Sequence, residues 1–195
     1  MEEIIIATKN EGKKREFASI LKEYHIVSLN DLNYQNDIVE DGKTFKENAV
    51  IKASTIAKIY NKPVISDDSG LEVFSLNNEP GIYSARYAGD MHDDKLNNAL
   101  LIKNLLGKEN TDCRYVCAIA LCYPDGRSIV VEDYCYGKII LTPRGTGGFG
   151  YDPYFYVKEY GKTMAELSLE EKNKISHRGK AIRKLKEALR WKYYL

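Results

Sequence analysis

Residues 65–71 read Ile65-Ser66-Asp67-Asp68-Ser69-Gly70-Leu71. An apolar lead-in, Pro63-Val64-Ile65, has the character of a short buried strand, and apolar residues resume at Leu71 and Val73. Adjacent carboxylates at a strand end are costly unless positive charge meets them. A hard cation such as Mg²⁺ is the simplest partner, because it takes carboxylate oxygens and keeps several waters. A solvated turn uses the same residue types, since Asp, Ser and Gly are turn formers. These seven residues alone favour the turn, so the decision rests with the remainder of the chain.

Three other stretches have chemical potential. Thr8-Lys9-Asn10-Glu11-Gly12-Lys13-Lys14 joins a β-branched run at 3–7 to a helix marked by Phe17, Ile20, Leu21 and Tyr24 at helical spacing. Asn10 suits the N-cap, and free N–H groups plus the helix dipole make such a turn an anion site, with Lys9 and Lys13 adding charge. The pattern is not G-x-x-x-x-G-K-[ST], which excludes a Walker-type loop. Residues 142–153 crowd glycine and proline around Phe149, Tyr151 and Asp152. Glycines admit a ligand close to the backbone, and aromatics there suit stacking on a base. Finally, Ser176-His177-Arg178 opens the last helix, whose stripe is Ala181, Ile182, Leu185, Ala188 and Leu189. Basic residues in a first turn oppose the helix dipole at a cost of a few tenths of a kcal/mol, and a local rule broken without local gain is expected at functional sites.

The elements that must position these groups alternate between strand and helix periodicity. A second strand is expected at 25–28 and a polar loop at 30–37. A helix then runs to about Asn61, with Thr44 and Glu47 as a capping box, following Glu40 and Asp41. Asn77 to Gly81 is turn chemistry, and a helix runs from His92-Asp93-Asp94 to Gly107. Residues 115–123 and 128–136 form a hairpin across Pro124-Asp125-Gly126-Arg127. The first of these runs is apolar on both faces, as a covered central strand would be. Ser168 and Glu171 make another capping box.

Bulk composition narrows the class. A chain of 195 residues supports one domain, or two closely packed lobes, with a substantial core. The net charge of +1 offers no global basic field for nucleic acid. The basic run from Lys172 to Arg190 reads mostly as a solvated face. No segment approaches the roughly 20 apolar residues that span a bilayer, and the start lacks a signal-peptide pattern, so a cytoplasmic protein is expected. Four cysteines, Cys113, Cys117, Cys122 and Cys135, have no C-x-x-C spacing and are expected reduced, buried and inert.

Taken in order, these motifs resemble the inosine triphosphate pyrophosphatase family across nearly the whole chain. The resemblance rests on Ala7 to Lys13, Glu40 to Ala49, Ser66 to Leu71, Pro80 to Tyr87, Gly145 to Pro153, and a last block of Thr163 to Leu167, Glu171-Lys172 and Ile175 to Gly179. It implies one α/β pyrophosphatase domain over residues 1–195, an elongated mixed sheet flanked by helices, with two lobes and a central active-site cleft. It implies hydrolysis of ITP, dITP and XTP to the monophosphate and pyrophosphate, with Mg²⁺ and a homodimer. By the same resemblance Thr8, Lys9, Asn10, Glu11, Gly12 and Lys13 hold the triphosphate. Glu40 and Asp68 bind the metal, Asp68 is the general base, and Ser69 touches substrate. Phe149, Gly150, Tyr151 and Asp152 surround the base, and Lys172, His177 and Arg178 complete the pocket. A pyrophosphatase for other modified nucleotides, such as methylated pyrimidine triphosphates, is the alternative enzyme. A nucleic-acid module built on the basic last helix is opposed by the charge balance.

Overall fold

A computed structural model describes the backbone of residues 2–192 and the side chains of 2–189; Arg190, the end of the basic run, lies outside the described side chains. In chain order the elements are β1 (Glu2–Ile6), α1 (Glu11–Ile20), β2 (Tyr24–Ser28), α2 (Phe45–Tyr60), β3 (Val64–Val73), α3 (Asp94–Leu105), β4 (Asp112–Cys122), β5 (Ser128–Ile139), β6 (Phe155–Val157), β7 (Lys162–Thr163), α4 (Leu169–Ile175) and α5 (His177–Lys192). The strands form one open seven-stranded sheet in the order β2-β1-β3-β4-β5-β6-β7. β1 pairs in parallel with β2 and β3, and β5, β6 and β7 run antiparallel. A mixed sheet with helices is the expected α/β class; the parallel half needs helical crossovers and the antiparallel half only short turns.

The chain folds as two compact units. Unit 1 comprises the described residues of Met1–Asp68, Cys117–Asp133 and Arg178–Leu195, and unit 2 comprises Ser69–Val116 and Tyr134–His177. Unit 1 has its own core, built on Ile6, Phe17, Ile65, Ile119 and Ile182. Unit 2 has another, built on Leu71, Leu101, Tyr115, Tyr151, Phe155 and Met164.

Local chemistry sets most helix starts. Asn10 caps α1 by accepting from the Lys13 N–H at 3.0 Å. Thr44 caps α2 by accepting from the Glu47 N–H at 3.2 Å. Glu47 reaches one residue beyond the expected box and accepts from the Lys43 N–H at 2.6 Å. The Ser168–Glu171 box closes at the start of α4. All four cysteines are buried thiols outside any disulfide.

One expectation changes. The apolar run at 63–65 does not end in a turn at Asp67-Asp68, because β3 continues through both to Val73. Residues 64–67 are buried and the Ser66 hydroxyl donates to the Ala49 carbonyl, so the acidic pair sits inside the sheet rather than on a solvated bend. The stretch after Pro80 is also structured, as a 3-10 helix over Gly81–Arg86 that the aromatic and small residues there do not announce.

Candidate active site

In unit 1, β3 positions the acidic pair. Successive side chains of a strand point to opposite faces, and Asp67 and Asp68 accordingly have different partners. Asp67 Oδ2 accepts from Arg178 Nε at 3.1 Å and Nη2 at 3.0 Å, and lies 3.1 Å from Lys13 Nζ. Arg178 also donates to Glu16 through Nη1. Arg178, Asp67 and Glu16 are all buried. Burial alone would raise the Asp67 pKa, but Lys13 and Arg178 beside it outweigh burial and hold the carboxyl below the ordinary range. Asp67 therefore stays charged as the anchor of Lys13 and Arg178.

Asp68 faces a second group. Lys52 Nζ, from the middle of α2, lies 2.6 Å from Glu40 Oε2 and 3.0 Å from Asp68 Oδ1. Asp68 Oδ2 is buried without a hydrogen-bond partner. Burial raises the Asp68 pKa and the Glu40 charge adds to it, against the pull of Lys52 and Lys13. A carboxylate with an open oxygen and a raised pKa is suited to taking a proton.

The turn before α1 is only partly available to a ligand. Thr8 Oγ1 accepts from the Asn10 N–H at 3.1 Å, which shapes the turn. Lys9 Nζ donates to the carbonyls of Gln35 and Asn36, and Glu11 accepts from Asn30 Nδ2 at 2.8 Å. Lys9 and Glu11 thus fasten the 30–37 loop, while Gly12 and Lys13 occupy the first turn of α1.

Unit 2 assembles a different constellation. Lys172, from α4, lies 2.6 Å from Asp152 Oδ2 and 4.8 Å from the centre of the Phe149 ring. The same Asp152 oxygen accepts from the Phe149 N–H at 3.0 Å. Tyr115 donates its hydroxyl to Asp152 Oδ1 at 3.2 Å. The Tyr115 ring stacks on both Phe155 and His177, with centroids 4.3 and 4.6 Å apart. Tyr151 donates to the Ser84 carbonyl at 2.7 Å. Gly148 has φ +73°, and a Cβ there would lie 2.0 Å from Asp152 Oδ2, so a side chain cannot share that space.

Comparison with known proteins follows the same residues. The Ham1 family model matches residues 4–188. This chain belongs to the Ham1 family. It is 53% identical over 193 residues to a dITP/XTP pyrophosphatase of Bacillus licheniformis, covering 97% of this chain and 98% of that one. It is 48% identical over 195 residues to a dITP/XTP pyrophosphatase of Geobacter sulfurreducens, covering 98% of each. Its fold superposes on the Staphylococcus aureus Ham1 protein with a TM-score of 0.87 at 45% identity, covering 98% of this chain and 100% of that chain.

Within this Ham1 chain the residues fit a hard divalent cation in part by donor chemistry and in part by the open oxygen. Among the described residues no three Asp, Glu, His or Cys side chains gather as a metal-binding group. Glu40 and Asp68 nevertheless meet at one ammonium, and Asp68 Oδ2 is unsatisfied. Two carboxylates are what Mg²⁺ takes when water and phosphate complete its shell.

Sequence reasoning missed Lys52, Glu16 and Tyr115. Lys52 sits on the apolar stripe of α2, where a lysine breaks the pattern, and that break was the available signal. Glu16 and Tyr115 carry no local mark, because their partners Arg178 and Asp152 are 162 and 37 residues away.

Proposed function

We propose that this chain hydrolyses non-standard purine nucleoside triphosphates of the dITP and XTP class to the monophosphate and pyrophosphate. The supporting observation is that Glu40 and Asp68 meet at one ammonium in a chain 53% identical to a dITP/XTP pyrophosphatase. In this reading Glu40, Asp68 and Lys13 act on the phosphates and Phe149 to Asp152 on the base. Glu40 and Asp68 would hold Mg²⁺, which would supply positive charge against the phosphates. Asp68 orients and deprotonates the attacking water, Lys13 meets the charge of the departing pyrophosphate, and the turn at Thr8 to Lys13 binds the triphosphate. Ser69 follows the base in sequence and contacts substrate.

Base choice follows from hydrogen bonding. Hypoxanthine and xanthine present a keto oxygen at C6, where adenine presents an amine. Donors at that edge accept the keto form and leave adenine's amine unpaired, at about 1–3 kcal/mol for each buried group so stranded. Phe149 to Asp152 and His177 are assigned to the base, with Lys172 holding Asp152. Arg178 is assigned to the Asp67 anchor, because Glu16 and Asp67 engage its guanidinium. The family resemblance extends the proposal to a cytoplasmic homodimer acting on free nucleotides and not on nucleic acid. No helix among the described residues is long and apolar enough to cross a membrane.

Pyrophosphate release from dITP, XTP, dATP and dGTP, with and without Mg²⁺, tests the reading. Release from dITP and XTP that requires the metal is expected. No release from either would reject the activity, and equal kcat/KM for dATP and dITP would reject the keto-reading account.

A further inference from the structure

Both backbone polar groups of Gly150 are taken by side chains of one helix. Asp94 Oδ2 accepts from the Gly150 N–H at 2.7 Å, and Asn98 Nδ2 donates to the Gly150 carbonyl at 2.9 Å. Residues four apart on a helix lie on one face, so α3 presents an acceptor and a donor matched to one residue. The helix end is itself fixed: Asp93 accepts from the N–H groups of Lys95 and Leu96 at 2.7 and 3.2 Å. Asn98 is buried and also donates to the Asp94 carbonyl at 2.7 Å, which ties the two residues into one unit. Gly150 has φ +62°, a conformation glycine adopts freely but does not hold by itself. The two peptide planes that meet at Gly150 aim Phe149 on one side and Tyr151 on the other. A cavity of about 390 Å³ is lined by Asp94, Asn98, Phe149 and Gly150 among others.

We propose that Asp94 and Asn98 are positioning residues that hold segment 149–152 in its base-reading form and thereby set substrate affinity. The inference rests on the functional reading above and deepens it, since neither residue belongs to the motifs that carried the resemblance. Phe149, Tyr151 and Asp152 have anchors of their own, and the clamp supplies the one at Gly150, just after the exposed, glycine-rich residues 142–148.

The test is steady-state pyrophosphate release from dITP and XTP by the wild type and by Asp94→Ala, Asp94→Asn and Asn98→Asp. Asp94 is exposed, so its variants are expected to fold. Loss of one hydrogen bond that orders the loop should raise KM about 3- to 10-fold while kcat is kept. Asp94→Asn retains an acceptor and should restore KM to within about 2-fold of wild type. Asn98→Asp turns a donor into a charge facing a carbonyl and should raise KM more than Asp94→Ala. A wild type silent on dITP and XTP overturns the functional reading and this inference with it. An active wild type with unchanged KM in Asp94→Ala, or with kcat and Tm falling while KM stays fixed, overturns the inference alone.

Discussion

The two units solve the burial of polar groups in opposite ways. Unit 1 gathers four acids, Glu16, Glu40, Asp67 and Asp68, around three bases, Lys13, Lys52 and Arg178. Unit 2 buries one ion pair, Asp152 with Lys172, and surrounds it with Phe149, Tyr115, Phe155 and His177. The first arrangement leaves negative charge in excess and an open carboxylate oxygen, which suits a cation. The second gives flat faces with a few fixed polar edges, which suits a heterocycle, since ring faces tolerate many bases and polar edges distinguish them. Composition of the core thus decides what chemistry each unit's buried polar groups can do.

Substitutions can break this contrast or sharpen it. The largest effect is expected from Asp68→Asn, which keeps shape and removes the basic oxygen. Turnover should fall about 10²- to 10⁴-fold with the circular-dichroism melt preserved, and a near-normal rate would remove unit 1 from the chemistry. Arg178→Met should act on stability instead. It strips a buried partner from Glu16 and Asp67, and leaving such charges uncompensated costs about 3–5 kcal/mol, readable as a lower urea midpoint. Adding Glu16→Gln and Asp67→Asn to that variant should recover part of the loss; no recovery would show that the guanidinium matters for something other than those two carboxylates. The smallest effect is expected from Gly148→Ala in unit 2. The added Cβ meets Asp152 Oδ2 in a left-handed backbone conformation, a strain that should displace the loop and raise KM about 10-fold with kcat retained. If kcat fell and KM held, base recognition would not be the work of that loop.

The legible parts of the molecule are those written within a few residues. The caps at Asn10, Thr44 and Ser168 are readable because a cap and its N–H partner lie three apart. The start of α5 at His177 agrees with the apolar stripe that begins behind it at Ala181. The β4–β5 connection is readable from its turn residues, and the Tyr123 N–H bonds the Arg127 carbonyl at 2.9 Å across it. Asp67-Asp68, which taken alone favours a turn, lies inside β3, since turn propensity is local and sheet pairing is not. Sheet context overrides it, as context commonly does for strand preferences.

Periodicity and capping therefore determined by themselves most element starts and the set of residue types available for chemistry, and the family resemblance carried by the motifs implied the α/β class. Which carboxylate meets which cation was decided only by the tertiary structure. Asp67 and Asp68 are neighbours in the chain, yet strand alternation sends one to Arg178 and Lys13 and the other to Lys52 and Glu40. Likewise nothing local links Asp94 and Asn98 to Gly150, more than 50 residues on. Partner choice at such separations is set by packing of whole elements, which no short window of sequence contains.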